Sequence, residues 1–511
     1  MKTLKEVYQK SFLMGNIYTP RLLDNEPLKT MMQQQFNTIT AENIMKPVLI
    51  QPERDVFRFD AADAMMAYGQ NEGFVVVGHT LAWHQQTLNW IDEETVTKEE
   101  AIDLLRTHMT TLMSRYKGQI LAWDVLNEAI IDGTAGDPKE WRNYLRETPW
   151  LRMIGEDYVE LVFRVAHEID PDARLYYNDY NLNYPAKRKA TYYMVKELCE
   201  SGVPIHGIGM QGHFHTNTPV ETVEESLALF SQLPDIEISV TELDVTVTGS
   251  EHSNSLSKEH EVEQGQYYAR LFQIYKKYDN IIKRITFWGT DDETSWRCER
   301  FPTIFNKDYS PKLAFDAIID PDGFLAKYPI VKKDTKQVAV VSFGTPTVGE
   351  NLNWTNEAQI FANRQLTAWE GATARIDVMW DEEAVFVKAV VTDKSPSDLD
   401  QVDVYFSFSN MNLGDYQIDD YHITVTRIGA LSFNRRAEIE EIEHQVVTGE
   451  LGYTVYLRLP AAVRYNQYIG FDVQVRDYND RDELQSMAVW NDVTGALATN
   501  TKGLGQLVMK R

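Results

Sequence analysis

Gln119-Ile-Leu-Ala-Trp-Asp-Val-Leu-Asn-Glu128 opens apolar and closes on Asn-Glu. An amphipathic segment with helical spacing follows it, Tyr158-Val159, Leu161-Val162 and Val165-Ala166. The same rhythm of short β-rich run, polar turn and amphipathic segment extends to either side. Its other runs are Ser11–Tyr18, Phe36–Ile44, Phe74–Trp83, Ala173–Asn181, Ile205–Phe214, Ile236–Val245 and Arg284–Thr290, which makes eight in all. Strands alternating with helices predict a parallel sheet, and eight such units in about 300 residues fit an α/β fold of the (β/α)8 TIM-barrel type.

Six of the runs turn polar or aromatic at their C-terminal ends: Gly78-His79-Thr80 with Trp83-His84, Asn127-Glu128, Asn178-Asp179, Gln211-Gly212-His213, Thr241-Glu242 and Trp288. Simple strand termination explains one or two such ends and explains six poorly. In this fold the C-terminal rim is where active sites are built. Glu128 ends the fourth run and Glu242 lies near the end of the seventh, so barrel closure brings the two into one cleft. Two carboxylates there are what glycosidic cleavage needs, one to protonate the leaving oxygen and one to attack carbon or activate water. Either Glu alone would be read as a solvated residue or an ion-pair partner.

Composition narrows the partners. The chain has 511 residues and a formal charge of −26, which argues against nucleic acid and anionic membranes because phosphates attract basic surfaces. Eleven Trp and 26 Tyr supply flat apolar faces with polar edges, suited to sugar rings as well as to cores. Cys199 and Cys298 make neither a disulfide framework nor a closely spaced metal motif, and are read as reduced thiols. Met1–Lys10 is charged and lacks an apolar core or cleavage site. The expectation is a cytoplasmic protein, or a secreted one if a leader was trimmed.

Gly78-His-Thr-Leu-Ala-Trp-His84, Trp123-Asp-Val-Leu-Asn-Glu-Ala129, Tyr177-Asn-Asp-Tyr-Asn181, Gly209-Met-Gln-Gly-His-Phe214, Thr241-Glu-Leu-Asp244 and Phe287-Trp-Gly-Thr-Asp-Asp-Glu-Thr-Ser-Trp296 together resemble glycoside hydrolase family 10, in that family's order. The resemblance covers residues 1 to about 325 and implies a retaining endo-β-1,4-xylanase in a catalytic domain of residues 1–328. It implies Glu128 as acid/base and Glu242 as nucleophile. His213, oriented by Asp244, is expected to donate to Glu242, and Gln211 to support the nucleophile side. Asn127 is expected to bond the sugar 2-hydroxyl, a contact that strengthens in the transition state. Glu42, Asn43, Lys46, His79 and Trp83 match glycone-binding positions. Trp288 and Trp296 match the aromatic wall and lid, and Tyr177 and Asn178 are assigned to the leaving-group side. One departure is visible, for Pro47 stands where the family commonly has Trp.

After Lys327–Asp334 the pattern changes to alternating runs without substantial helices: Thr373–Trp380, Ala384–Val391, Val402–Phe408, Tyr421–Arg427, Gly452–Leu459 and Gly470–Val475. Such spacing predicts an all-β sandwich domain over 335–511. Gly344-Thr-Pro-Thr347, Gly371–Asp381, Val402-Asp-Val-Tyr405, Ile469–Val475 and Trp490-Asn-Asp492 resemble carbohydrate-binding module family 9. That likeness implies sugar contact at Trp490, where members of the family sandwich a ring between two Trp. The second aromatic is missing, since Pro396-Ser-Asp-Leu-Asp400 precedes Gln401. A packed domain that braces the barrel or mediates oligomers is the competing reading, and a structural Ca²⁺ in acidic loops is a further expectation.

The chemistry calls for no cofactor, and the expected partner is xylan or imported xylo-oligosaccharides, with oligomeric state left open. Two other readings stand beside it. One is a barrel glycosidase with another β-1,4-glycan or aryl-glycoside preference, distinguished by products on xylan against cellulose. The other is a non-catalytic sugar-binding protein, distinguished by a reducing-sugar assay.

Overall fold

The computed structural model describes residues 2–510 apart from 133–134, 217, 248–254, 331–336, 356–359, 368–370, 411–415, 417–419, 434–441, 480, 494 and 496. The chain divides into two compact units, Met1–Ile330 and Val331–Arg511.

In the first unit eight parallel strands run in sequence order: β1 (Leu13–Tyr18), β2 (Thr38–Ala41), β3 (Val75–Ala82), β4 (Ala122–Asn127), β5 (Arg174–Asp179), β6 (Gly207–Met210), β7 (Glu237–Thr246) and β8 (Ile282–Phe287). Each pairs with its neighbour, β1 pairs with β8, and β6 with β7, so the sheet closes into the expected barrel. Helices between strands carry the capping chemistry of their sequences. Asn25 accepts from the Leu28 amide ahead of Glu26–Gln35, Thr97 caps Lys98–Arg115, and Ser257 caps Lys258–Lys277. Tyr158–Ile169 buries Val159, Val162, Phe163 and Ala166 at helical spacing, the stripe visible in the sequence.

Strand alternation sorts side chains between two environments. On β5, Tyr176 joins Val77 and Ala122 in a small interior cluster, while Leu175 and Tyr177 belong to the large core under the helices. The sixth run is shorter than its sequence implied. Gly212 adopts φ 86°, and beyond it His213–His215 forms a separate short strand parallel to β7, with His213 opposite Asp244.

Among the described residues of the second unit, thirteen strands form one hydrogen-bonded sheet. It includes all six runs predicted from alternation and adds strands such as Val338–Phe343, Glu443–Gly449, Leu484–Val489 and Gly505–Met509. Val338–Phe343 belongs to both halves: Val338–Val341 lie parallel to Gln506–Met509, and Ser342–Phe343 parallel to Met379–Trp380. The sheet curls around one core to which both halves contribute, Val402, Val404 and Phe471 from one and Ile376, Val387 and Val455 from the other. The sandwich expected from the sequence is present, its two halves joined through the one strand Val338–Phe343. Among the described residues no helix is long and apolar enough to cross a membrane.

Candidate active site

Glu128 follows β4 directly, and its backbone takes the left-handed conformation, φ 57°. Its amide donates to the Asn178 carbonyl at 2.8 Å. The carboxylate is nearly buried and bonded on both oxygens, Trp83 Nε1 donating to Oε2 at 2.8 Å and Gln211 Nε2 to Oε1 at 2.9 Å. These donors follow the C-terminal ends of β3 and β6, so closure of the barrel sets the position of the Glu128 carboxylate.

Glu242 lies within β7 and is also buried. Asn178 Nδ2 donates to its Oε1 at 2.8 Å, and His213 Nε2 lies 3.1 Å from Oε2. The opposite ring nitrogen of His213 lies 3.0 Å from Asp244. Burial disfavours the imidazolium, but Asp244 and Glu242 outweigh it and push the His213 pKa up to about 9. Burial likewise opposes ionisation of Asp244, and His213 and Arg297 overcome it, holding that carboxyl below the usual range. The ring is therefore held as a cation between the two carboxylates at neutral pH. Asn178 also donates to Asn127 Oδ1 at 2.8 Å and accepts from Thr241 Oγ1 at 2.6 Å. Gly209 makes room for it, since a Cβ there would sit 2.4 Å from Asn178 Oδ1.

The remaining expected residues gather around this pair. His79 lies 4.0 Å from Glu242, bonds Asp124 at 3.0 Å and meets the Trp288 ring edge-on at 5.3 Å. Trp296 stacks edge-on against His213 at 5.0 Å, donates to Asp244 and is 47% exposed, as a lid at the rim would be. Lys46 donates to Asn43 Oδ1 at 2.8 Å and lies 5.0 Å over the Trp83 ring. Burial pulls the Lys46 pKa down, against Glu242, Glu42 and Glu128, and pushes that of Glu42 up. Pro47 starts the helix Pro47–Ile50 and keeps Lys46 extended.

Residues 3–321 match the model of a family described as Glycosyl hydrolase family 10. The chain belongs to glycosyl hydrolase family 10. Residues 348–511 match a second model, Carbohydrate family 9 binding domain-like. Over 99% of this chain, it is 33% identical to "Exoglucanase XynX" of Acetivibrio thermocellus and 34% identical to "Endo-1,4-beta-xylanase A" of Thermotoga neapolitana. It spans 46% and 47% of those proteins, about half their length. Among solved structures, an intracellular xylanase of Thermoanaerobacterium saccharolyticum, determined as a mutant with xylotriose, is 34% identical with a TM-score of 0.57. That match covers 62% of this chain and 98% of the other.

Three placements in this family 10 chain differ from expectation. Tyr177 does not face the cleft: it is fully buried in the core, donates to Asp179 and accepts from the Ile130 amide at 3.1 Å. Alternation on β5 points Tyr176 and Asn178 inward and Tyr177 outward. The Gln211 side chain serves Glu128, while only its backbone carbonyl serves Glu242, accepting that residue's amide at 2.7 Å. Trp490, expected to touch sugar, is a core residue packed against Phe471, and a Cβ at Gly505 would sit 2.7 Å from its ring.

Supporting residues that motif reading missed are Asp124 behind His79, Thr241 behind Asn178, and Arg297, whose guanidinium bonds Asp244. Thr241 and Arg297 each sit one position from a named site residue, and Asp124 three positions before Asn127 on β4. In the second unit, Asp393, Asp400 and Asp477 converge, with carboxylate oxygens within 4.8 Å of one another. Asp393 Oδ2 and Asp477 Oδ1 are buried without a hydrogen-bond donor. Burial, with Asp393 adjacent, pushes the Asp400 pKa up to about 7.

Proposed function

We propose that the barrel hydrolyses the β-1,4 bonds of xylan or xylo-oligosaccharides with retention of configuration. The observation that carries this reading is the pair Glu128 and Glu242 on facing strands, each held by its own donors. Glu128 begins the cycle as the acid, giving its proton to the glycosidic oxygen as the bond to the anomeric carbon breaks. Glu242, fixed by Asn178 and His213, attacks that carbon and forms a glycosyl ester. Glu128, now a base, takes a proton from water, which attacks the same carbon and releases Glu242. Asn127 accepts from Asn178 on its Oδ1, so its Nδ2 is the group suited to donate to the sugar 2-hydroxyl. Lys46, Asn43, Glu42 and Trp83 offer a charged and aromatic wall for the glycone. The step calls on no cofactor.

A second reading, cleavage of β-1,4-glucan, draws support from the relative described as an exoglucanase. Hydrolysis of birchwood xylan beside phosphoric-acid-swollen cellulose tests the choice. Xylo-oligosaccharides from the first and nothing from the second support the xylan reading, and the reverse overturns it. The neighbour described as an intracellular xylanase supports short imported oligosaccharides as substrates.

For the second unit we propose a structural Ca²⁺ at Asp393, Asp400 and Asp477. Buried carboxylate oxygens without donors suit a hard cation with oxygen ligands.

A further inference from the structure

Glu128 sits in a backbone conformation that non-glycine residues avoid, φ 57°. Such a residue keeps its conformation only when its surroundings over-determine it. Trp83 and Gln211 restrain the carboxylate from the cleft side. On the peptide side the Glu128 amide is held by the Asn178 carbonyl, and the carbonyls are held by Arg146. Its Nε donates to the Glu128 carbonyl at 3.0 Å and its Nη2 to the Ile130 carbonyl at 3.3 Å. The Arg146 amide donates to the Ala129 carbonyl at 2.7 Å, and Ile131 donates to Tyr144 at 2.8 Å. The segment leaving Glu128 is thus stitched to Tyr144–Arg146 along its length.

Arg146 is itself fixed from behind. Nη2 also donates to the Tyr180 hydroxyl at 3.0 Å, and Tyr180 donates to Asp132 at 2.6 Å. Lys187, 1% exposed, bridges Asp132 at 3.2 Å and Asp179 at 2.9 Å, and its ammonium lies 3.8 Å over the Tyr180 ring. Two cations and two carboxylates share this enclosed space, so removing one leaves the others unbalanced. None of these groups was needed for the proposed reaction steps.

We propose that Arg146 is a positioning residue for the acid/base, acting through the Glu128 and Ile130 carbonyls, with Asp132, Tyr180 and Lys187 as its support. The proposal rests on the retaining reading of Glu128 and makes it more specific. A planar guanidinium spans two carbonyls that a single ammonium cannot bridge in the same way. Loss of the clamp lets the peptide relax toward an allowed conformation and carries the carboxyl away from the leaving oxygen.

The test uses the full chain and two substrates, phenyl and 2,4-dinitrophenyl β-xylobioside, compared by kcat/KM. Phenolate needs a proton to leave and dinitrophenolate does not. General acid catalysis contributes on the order of 10²–10⁴-fold, so Arg146→Met is expected to lower kcat/KM about 100-fold for the phenyl substrate and less than about 5-fold for the dinitrophenyl one. Arg146→Lys falls between, with the same bias. Asp132→Asn keeps shape and weakens the support; it is expected to show the bias at about 10-fold and carries the test if Arg146→Met does not fold. Equal losses on both substrates would overturn the positioning role. A wild-type chain that turns over neither substrate would instead overturn the retaining-glycosidase reading.

Discussion

The His213 ring lies between two carboxylates, with Nε2 3.1 Å from Glu242 and Nδ1 3.0 Å from Asp244. One imidazolium is thereby shared between a carboxylate in the cleft and another beneath it, the second also bonded by Arg297. Glu242 is kept in place by a cation that is itself anchored.

This arrangement makes stability depend on pH. The His213 pKa rises from the ordinary 6.5 to about 9 on folding, so the native state holds the proton more tightly. The stabilisation, about 3 kcal/mol at most, is complete below pH 6.5, declines above it and is gone beyond about pH 9. Urea midpoints of the wild-type chain should fall from pH 6.5 to 9, and His213→Asn should flatten that slope. An unchanged slope in the variant would refute the pairing.

Glu242→Ala should remove turnover of aryl xylosides and xylan by roughly 10⁴-fold or more, because no other group forms the ester. The variant should keep its thermal midpoint within a few degrees. Measurable burst kinetics in Glu242→Ala would disqualify it as the nucleophile.

Glu128→Ala should lose roughly 10²–10⁴-fold in kcat/KM on unactivated substrates and far less on dinitrophenyl glycosides. Azide should restore turnover by taking water's place at the ester, giving a β-glycosyl azide. NMR of the product decides: an α-azide, or no rescue, speaks against retention with Glu128 as acid/base.

At the aspartate cluster, the Asp400 pKa rises on folding from 3.8 to about 7. The native state therefore favours the proton, and that advantage is lost as pH rises through 7. Without cation, the unfolding midpoint of the second unit should drop from about pH 4 to pH 7 and level off above that. Ca²⁺ at 100 times its Kd should restore about 2.7 kcal/mol, and Asp393→Asn should abolish the response. Scanning calorimetry of the full chain with EDTA or Ca²⁺ reads this directly, and identical traces would exclude the cation.

Much of the barrel could be read in advance because two periodicities recur: apolar runs that end polar, and helices with one apolar stripe. Boundaries were harder. The run Ile205–Phe214 reads as one strand, but Gly212 at φ 86° breaks it and aims His213 at Glu242. Tyr177 and Trp490 show a different limit. Both belong to motifs that resemble known families, yet strand parity sends Tyr177 into the helix layer, and packing on Phe471 and Gly505 encloses Trp490. Neighbourhood in sequence does not specify a face. Arg146 was invisible for a related reason, since it acts on backbone carbonyls, which leave no trace in side-chain motifs. In the second unit, Glu443–Gly449 alternates exposed and half-buried positions with few apolar residues, so its pattern reads as loop until its pairing with Gly452–Pro460 is seen.

The strand Val338–Phe343 finds its parallel partner in Gly505–Met509, the last strand of the unit. During synthesis Ser342–Phe343 can meet Met379–Trp380 early, but the ribosome must release nearly the whole unit before Val338–Val341 can be paired. Until then Val338–Val341 presents open edges beside a half-built sheet, and this long wait marks it as the segment where chaperones or misassembly would first act.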